Sequence, residues 1–402
     1  MRAQPGNVNE VMSSAPQGDA AARTVLYVNP TSDGSPLLVE LVRALHPARV
    51  RFAVCSLDDA PGVLDVQLEP LGVPVQRLGA AGIRAAPVAA ARLRALLHRL
   101  RPDVVHTNMF VPGIVGELAR RSSRSPVPSV FTRHHDLSHH LAKKPVHVRL
   151  DALTARSASV VVAPSEAVRQ TLVDREGVAA DTVVVVPHGL DLAALSTSAE
   201  DVEAWRRKYA PGPLLVCASR LDPLKGFATL FAAVARVRAR HQDVQLAVAG
   251  AAVQGYEQVL RDQARAAGVA DRVHLLGHVP GVHALMRAAD VYVSASEAES
   301  FGLSVLEAAA LGVPLAVTTP GGVREIVTPE YPELTPGDAA ALAVAICARV
   351  EDVQRSRAVA DRAASRVRDL FRPDRMAEGY AVVYEQAVSA TRGAERRGGG
   401  RP

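Results

Sequence analysis

Glu299 and Glu307 stand eight residues apart in the run Glu299-Ser-Phe-Gly-Leu-Ser-Val-Leu-Glu307, around a small Phe-Gly-Leu turn. The apolar run Asp290-Val-Tyr-Val-Ser-Ala-Ser296 precedes it and Leu303-Ser-Val-Leu-Glu-Ala-Ala-Ala-Leu311 follows, a pattern that predicts strand, loop, then helix. One acid then sits in the loop and the other on the early turns of the helix. A helix N-terminus offers N–H groups and a partial positive charge, which together make a place for a phosphate. Carboxylates beside such a place suit hydroxyls on the same ligand, from which they accept strong hydrogen bonds. The combination points to a phosphorylated sugar or a nucleotide-sugar.

Two cations upstream fit the same ligand. Arg220 and Lys225 lie in Ala218-Ser-Arg-Leu-Asp-Pro-Leu-Lys-Gly-Phe227, after one apolar run and before a helical one. A diphosphate between them would be held by a planar guanidinium fork and a point charge. Taken alone, the pair reads as solvated loop charge, and Glu307 alone as an acid that favours a helix dipole. The two carboxylates and two cations in one half of the chain shift the balance towards a site. Thr318-Thr-Pro-Gly-Gly322 and Gly34, in Asn29-Pro-Thr-Ser-Asp-Gly-Ser35, mark turns where a backbone can approach a ligand, a weak signal by itself.

The first half contributes histidines. His134 and His135 follow the apolar run Ser129–Thr132, and His139 and His140 come soon after. His135 and His139 have a spacing that would suit zinc, with a third ligand sought among His106, Asp136 and His147. No cysteine is near and the ligand set stays incomplete, so neither metal nor cofactor is expected. A histidine at the mouth of a strand better suits a polar contact or proton handling.

The elements that would position these residues are legible as alternation. Val-rich runs at 24–28, 50–55, 103–107, 129–132, 160–163 and 183–186 in the first half, and at 214–218, 244–248, 273–276, 290–293 and 315–318 in the second, are separated by amphipathic stretches. Unalternating apolar strands between helices predict a parallel sheet covered on both faces. The fold class expected is therefore α/β, as two doubly wound Rossmann-like domains. Their ligands should sit at the carboxyl ends of the strands. There is no G-x-G-x-x-G, no P-loop and no G-x-S-x-G, which disfavours a dinucleotide oxidoreductase, a P-loop NTPase and an α/β-hydrolase.

Composition narrows the class further. The chain has 402 residues, enough for roughly two to three domains, with 48% hydrophobic and 22% charged residues. Net charge is +5, but aromatics are only 4% and the arginines are spread along helices beside acids, so no nucleic-acid partner is expected. Weak peripheral association with an anionic membrane fits the basic balance. No apolar run reaches the length of a membrane span, and Met1-Arg-Ala-Gln-Pro-Gly-Asn7 has no apolar signal region. Cys55, Cys217 and Cys347 are scattered through apolar runs, as reduced thiols of a cytoplasmic protein would be.

In order, Arg220 to Lys225-Gly226, Gly250 after Leu246-Ala-Val-Ala249, Gly277 in Leu275-Leu-Gly-His-Val-Pro280, the paired acids and Pro320-Gly-Gly-Val-Arg-Glu-Ile-Val327 resemble the retaining GT-B glycosyltransferases of family GT4. The first half resembles them through Pro102-Asp-Val-Val-His106, Pro128 to His134, Ala163-Pro-Ser-Glu-Ala167 and Val186-Pro-His-Gly-Leu-Asp191. The likeness spans about residues 23–390. It implies a metal-independent glycosyltransferase of hexosyltransferase type, with two domains facing an interdomain cleft. The partners implied are a UDP-, GDP- or ADP-sugar donor and a separate acceptor.

By that likeness Arg220 and Lys225 hold the diphosphate, helped by the backbone amides of Phe301, Gly302 and Leu303. Glu299 binds sugar hydroxyls, Glu307 binds ribose hydroxyls, and Gly277, His278 and Val279 line the base. His134 lies near the sugar and Gly34 on the acceptor side. The domains implied are 23–192 and 213–368, joined by a linker at 193–212, with a crossover helix at 369–390 and disordered tails at 1–22 and 391–402. Two departures stand out: the first loop carries Gly34 where the family has a glycine pair, and His188 stands in place of the common asparagine. On the same scaffold a phosphorylase or epimerase, or a non-catalytic nucleotide-sugar binding protein, are the rival readings.

Overall fold

The computed structural model describes residues 22–123, 127–134, 145–253, 255–327 and 331–398. The chain divides into two compact units, Met1–Gly189 with Arg372–Pro402, and Leu190–Phe371.

The first unit is built on seven parallel strands: β1 (Arg23–Asn29), β2 (Val50–Ser56), β3 (Val75–Arg77), β4 (Val104–Asn108), β5 (Ser129–Thr132), β6 (Val160–Ala163) and β7 (Val183–Val185). Their order in the sheet is β3-β2-β1-β4-β5-β6-β7. Among its helices are α1 (Pro36–Leu45), α2 (Ala86–Leu100), α3 (Phe110–Arg121) and α4 (Pro145–Ser157). Central strands are buried on both faces, as in the fully buried Val160-Val-Val-Ala163 of β6. That is why they read as unbroken valine runs and not as alternation. The short strand β3 escapes such a reading because only Val75 of its three residues is buried.

The second unit opens with α5 (Ala199–Tyr209), then alternates β8 (Leu214–Ala218), α6 (Phe227–Arg238), β9 (Gln245–Ala249), α7 (Tyr256–Ala266), β10 (Val273–Gly277), α8 (Val282–Ala288), β11 (Val291–Ser294), α9 (Leu303–Ala310) and β12 (Leu315–Val317). Helices α10 (Ala339–Glu351) and α11 (Val353–Leu370) complete it. The five strands are parallel in the order β10-β9-β8-β11-β12. Within the stretch 193–212, read above as a linker, Leu195 and Tyr209 are buried in this unit's core. Each fully buried Val or Leu in such cores contributes about 1.5–3 kcal/mol relative to exposure.

After Phe371 the chain rejoins the first unit as α12 (Pro373–Gly398). Its Met376, Tyr380 and Tyr384 are buried against the first sheet, with Tyr384 Oη 2.9 Å from His106 Nδ1 and Tyr380 Oη 3.1 Å from Thr132 Oγ1. The helix runs past residue 390, since Ala394-Glu-Arg-Arg397 are good helix formers, and it ends at the glycines from Gly398. No helix among the described residues is long and apolar enough to cross a membrane.

Candidate active site

In the second sheet the strand order reverses between β8 and β11. Loops leaving the carboxyl ends of two such strands diverge and leave a crevice for a ligand. Arg220 and Lys225 leave β8, and Glu299 leaves β11. The fold therefore brings residues 74 positions apart together, with Lys225 Nζ donating to Glu299 Oε1 across 2.6 Å. Both side chains are largely shielded, at 17% and 14% exposed. Ser296 Oγ donates to the same carboxylate oxygen at 2.9 Å.

The two loops are tied by backbone as well. Glu297 N–H donates to the Leu224 carbonyl at 2.8 Å, and Gly322 N–H to the Glu299 carbonyl at 3.2 Å, so the Pro-Gly-Gly turn after β12 braces the acid. Asp222 caps the turn Pro223–Lys225 by accepting from Leu224 N–H. Gly226, next in line, has a φ of +63°, and a Cβ there would lie 2.0 Å from the Ala295 carbonyl oxygen. Only glycine allows that approach.

Arg220 is poised differently. Its side chain is 70% exposed and its guanidinium is paired with Asp222 at 2.7 Å, so it stays open to an anion from solvent. Helix α9 starts at Gly302, which has a φ of +98°, and no side chain caps its first turn. The first N–H groups of a helix have no partner within it; Glu299 stands three residues before Gly302, Leu303 is exposed and Phe301 is buried edge-on against Phe371. Glu307 sits one turn into α9 and pairs with His283 Nε2 of α8 at 3.8 Å. That carboxylate raises the His283 pKa above its ordinary value. At the end of β10, Gly277 turns with a φ of +66°, His278 is exposed and Val279 packs on the core.

The first unit has its own reversal, between β1 and β4. Gly34 follows β1 in the left-handed region at φ +126°. Asn108 ends β4 and Met109 follows it at the start of α3, with a φ of +73°, a strained backbone for a non-glycine residue. A hydrogen-bond chain runs through this mouth. Asn29 Nδ2 donates to the Thr31 carbonyl, Asn108 Nδ2 to Asn29 Oδ1 at 3.2 Å, and His134 Nε2 lies 2.6 Å from Asn108 Oδ1. With its amide nitrogen already committed, Asn108 presents its oxygen, so His134 donates from Nε2 and keeps Nδ1 as an acceptor.

His188 stacks on His134 with parallel rings, centroids 5.3 Å apart. Burial pushes His134 down to about 4 and His188 down to about 3, the latter also through its neighbour His134, so both are neutral at pH 7. Arg133, next to His134 in the chain and 1% exposed, lies between Glu176 at 2.5 Å and Asp151 at 2.8 Å. Burial raises the Asp151 carboxyl to about 6, against the pull of Arg133 and with a push from Glu176.

Residues 201–366 match the family model described as "Glycosyl transferases group 1", and residues 36–194 match "Glycosyltransferase Family 4". The chain belongs to the GT4-type glycosyltransferases, with the GT-B fold. It is 28% identical to the D-inositol 3-phosphate glycosyltransferase of Kineococcus radiotolerans over 98% of this chain and 95% of that protein. It is 29% identical to the glycogen synthase of Mycobacterium tuberculosis over 73% of this chain and 70% of that one. The crystal structure of Anabaena Alr3699/HepE in complex with UDP and glucose superposes with a TM-score of 0.77, at 26% identity, over 89% of this chain and 98% of that one.

For this glycosyltransferase, sequence reasoning named Arg220, Lys225, Glu299, Glu307 and His134 but missed their immediate partners. Ser296 and Asn108 carry the one signal that would have found them, a polar residue just past a valine-rich strand; His283 carries none. Of the histidines weighed for zinc, His106 is committed to Tyr384 and Thr132, and His147 packs by Phe110, while His135, Asp136, His139 and His140 lie outside the described residues. Among the described residues the ligand atoms of His241, Cys347 and Glu351 lie within 4.8 Å of one another, but Arg240 also pairs with the Glu351 oxygen at 2.9 Å.

Proposed function

We propose that this enzyme is a retaining, metal-independent glycosyltransferase that moves a sugar from a nucleoside diphosphate sugar to an acceptor hydroxyl. The observation that carries the reading is the shielded Lys225–Glu299 pair beside the uncapped start of α9. It supplies a cation for the leaving diphosphate, N–H groups for its oxygens and a carboxylate for sugar hydroxyls. Among UDP-, GDP- and ADP-sugars, a UDP-sugar is favoured, because the Anabaena neighbour was solved with UDP and glucose.

In the reaction the bond between the anomeric carbon and the donor's phosphate oxygen breaks while the acceptor oxygen bonds to that carbon from the same face. The departing phosphate oxygen takes the acceptor's proton. Lys225, Arg220 and the amides of residues 301–303 stabilise the charge that collects on the diphosphate, the role a metal ion plays elsewhere. Glu299 and Glu307 act as hydroxyl acceptors and not as nucleophiles, Glu307 on the ribose, with Gly277, His278 and Val279 along the base. His134, neutral, accepts a sugar hydroxyl at Nδ1. Gly34 lies on the acceptor side, and the enzyme works in the cytoplasm with at most weak peripheral attachment to membrane.

Thermal-shift titration of the purified protein with UDP, GDP, ADP and their sugars, with and without EDTA, tests this. A shift with one nucleotide series, unchanged by EDTA and lost in Lys225→Ala, is expected. A shift abolished by EDTA, or a sugar adduct isolated on Glu299, would overturn the mechanism.

A further inference from the structure

At the opposite end of the second sheet, where β8, β11 and β12 begin, lies a cavity of about 900 Å³. Five arginines line it: Arg206 at the end of α5, Arg287 at the end of α8, Arg349 at the end of α10, and Arg357 and Arg368 on α11. Among the described residues none of the five makes an ion pair with a carboxylate, whereas Arg238 and Arg261, elsewhere in the unit, do.

Arginines at helix ends ordinarily serve the carbonyls and dipole of the helix, and two of the five do serve carbonyls. Arg368 donates twice to the Ala310 carbonyl, and Arg349 donates to the Leu315 carbonyl and stacks on the Tyr331 ring at 5.0 Å. Arg206, Arg287 and Arg357 have no such commitment among the described residues.

The same cavity is lined by Ser356, 2% exposed, whose hydroxyl has no hydrogen-bond partner among the described residues. A buried hydroxyl without a partner forfeits the hydrogen bonds it would make in water, so the site favours a ligand that supplies one. Asp290, Asp361 and Asp369 also line the cavity, leaving an excess of arginines, and Asp290 is turned to the Leu214 N–H at 2.8 Å. Uncompensated guanidiniums around a concave site attract an anion, and their planar forks match phosphoryl oxygens.

We propose that this cavity is a second anion site, distinct from the donor crevice, which binds a phosphoryl group carried by a free phosphorylated metabolite or by a lipid headgroup. Arg287 and Arg357 grip the phosphoryl oxygens and the Ser356 hydroxyl donates to one of them. The cavity is large enough for a phosphorylated sugar or a nucleotide and not merely for inorganic phosphate.

Calorimetric titration of the full chain with inorganic pyrophosphate tests the site. Two classes of site are expected. Arg287→Ala/Arg357→Ala removes one of them, by at least tenfold in affinity, with an unchanged melting temperature, and Ser356→Ala weakens the same one. Lys225→Ala removes the other, an outcome that bears only on the donor crevice. Arg261→Ala/Arg265→Ala, an equal loss of charge elsewhere in the unit, leaves both classes. Cosedimentation with phosphatidylglycerol and phosphatidylcholine vesicles separates the sources. Binding to the anionic vesicles that depends on Arg287 and Arg357 and competes with pyrophosphate assigns a headgroup, and its absence assigns a free metabolite. Pyrophosphate binding that is the same in wild type and in the Arg287→Ala/Arg357→Ala variant overturns the proposal.

Discussion

Lys225 Nζ and Glu299 Oε1 meet across 2.6 Å although 74 residues separate them, because each follows one of the two strands that flank the reversal of the second sheet. A largely shielded cation paired with one carboxylate is neutral as a unit. In the proposed function the ammonium turns to an arriving diphosphate while the carboxylate takes up sugar hydroxyls. Losing the cation should therefore cost most where negative charge develops. Lys225→Ala is expected to lower kcat about 100- to 1,000-fold, with a smaller change in donor affinity. Because the two residues share one contact, Lys225→Ala and Glu299→Gln together should cost less than the sum of each alone. Strict additivity in a double-mutant cycle would count against a shared role.

Glu307 makes a separable prediction through its neighbour. Its carboxylate, 3.8 Å from the ring, raises the His283 pKa, partly offset by burial of the ring. Glu307→Gln removes that charge, so the His283 pKa should fall, measurable by NMR titration of labelled histidine. If Glu307 also binds the ribose, the same variant raises the donor KM with little change in kcat. A lowered His283 pKa with unchanged KM would confine Glu307 to the ion pair.

Much of this architecture was legible because parallel strands buried on both faces must be apolar throughout, and runs such as Val160-Val-Val-Ala163 cannot be anything else at that length. The candidate site residues could be placed from sequence because they follow those strands and precede helices. The supporting layer was not. Ser296 looks like the tail of an apolar run, and the partnership of Arg133 with Asp151 and Glu176 joins segments whose spacing carries no periodic signal. Segment 193–212 misled by its polarity: most of α5 is exposed and only its Tyr209 is buried, so with Leu195 ahead of the helix the anchoring residues are too few to stand out.

Gly226 allows a test of the loop that carries Lys225. An alanine there meets the Ala295 carbonyl oxygen at 2.0 Å and must hold φ near +63°. The left-handed backbone alone costs about 1–2 kcal/mol, and the clash adds to it by pushing the β8 loop away from β11. Gly226→Ala should therefore destabilise the second unit by at least about 2 kcal/mol and lose donor binding together with stability. Gly255, also left-handed at φ +77° but with open space around its Cβ position, is the control. Its alanine variant should show the backbone cost without loss of donor binding.

The histidines of the first unit give the protein a signed dependence on pH. His106 and His188 are held at about 3 and His134 at about 4, burial being the main cause in each, against about 6.5 in an unfolded chain. Below pH 6.5 the unfolded state therefore binds more protons, so the stability these groups contribute is full above 6.5 and is lost as pH falls towards 4. Asp151 runs the other way. Its carboxyl, raised to about 6, keeps a proton in the folded state between the unfolded value near 3.8 and 6, so its contribution is full below 3.8 and is lost as pH rises through 6. Each group adds a slope of at most about 1.4 kcal/mol per pH unit. Replacing His106 by Gln keeps polar contact with Tyr384 and Thr132 but removes one titration, so stability should fall less steeply between pH 6.5 and 4 even though its value at pH 7 drops. Asp151→Asn should make the fall steeper between pH 6 and 4. Denaturant melts of the full chain at pH 7, 6 and 5 check both signs, and parallel curves for the two variants would refute the assignment of buried neutral histidines around His134.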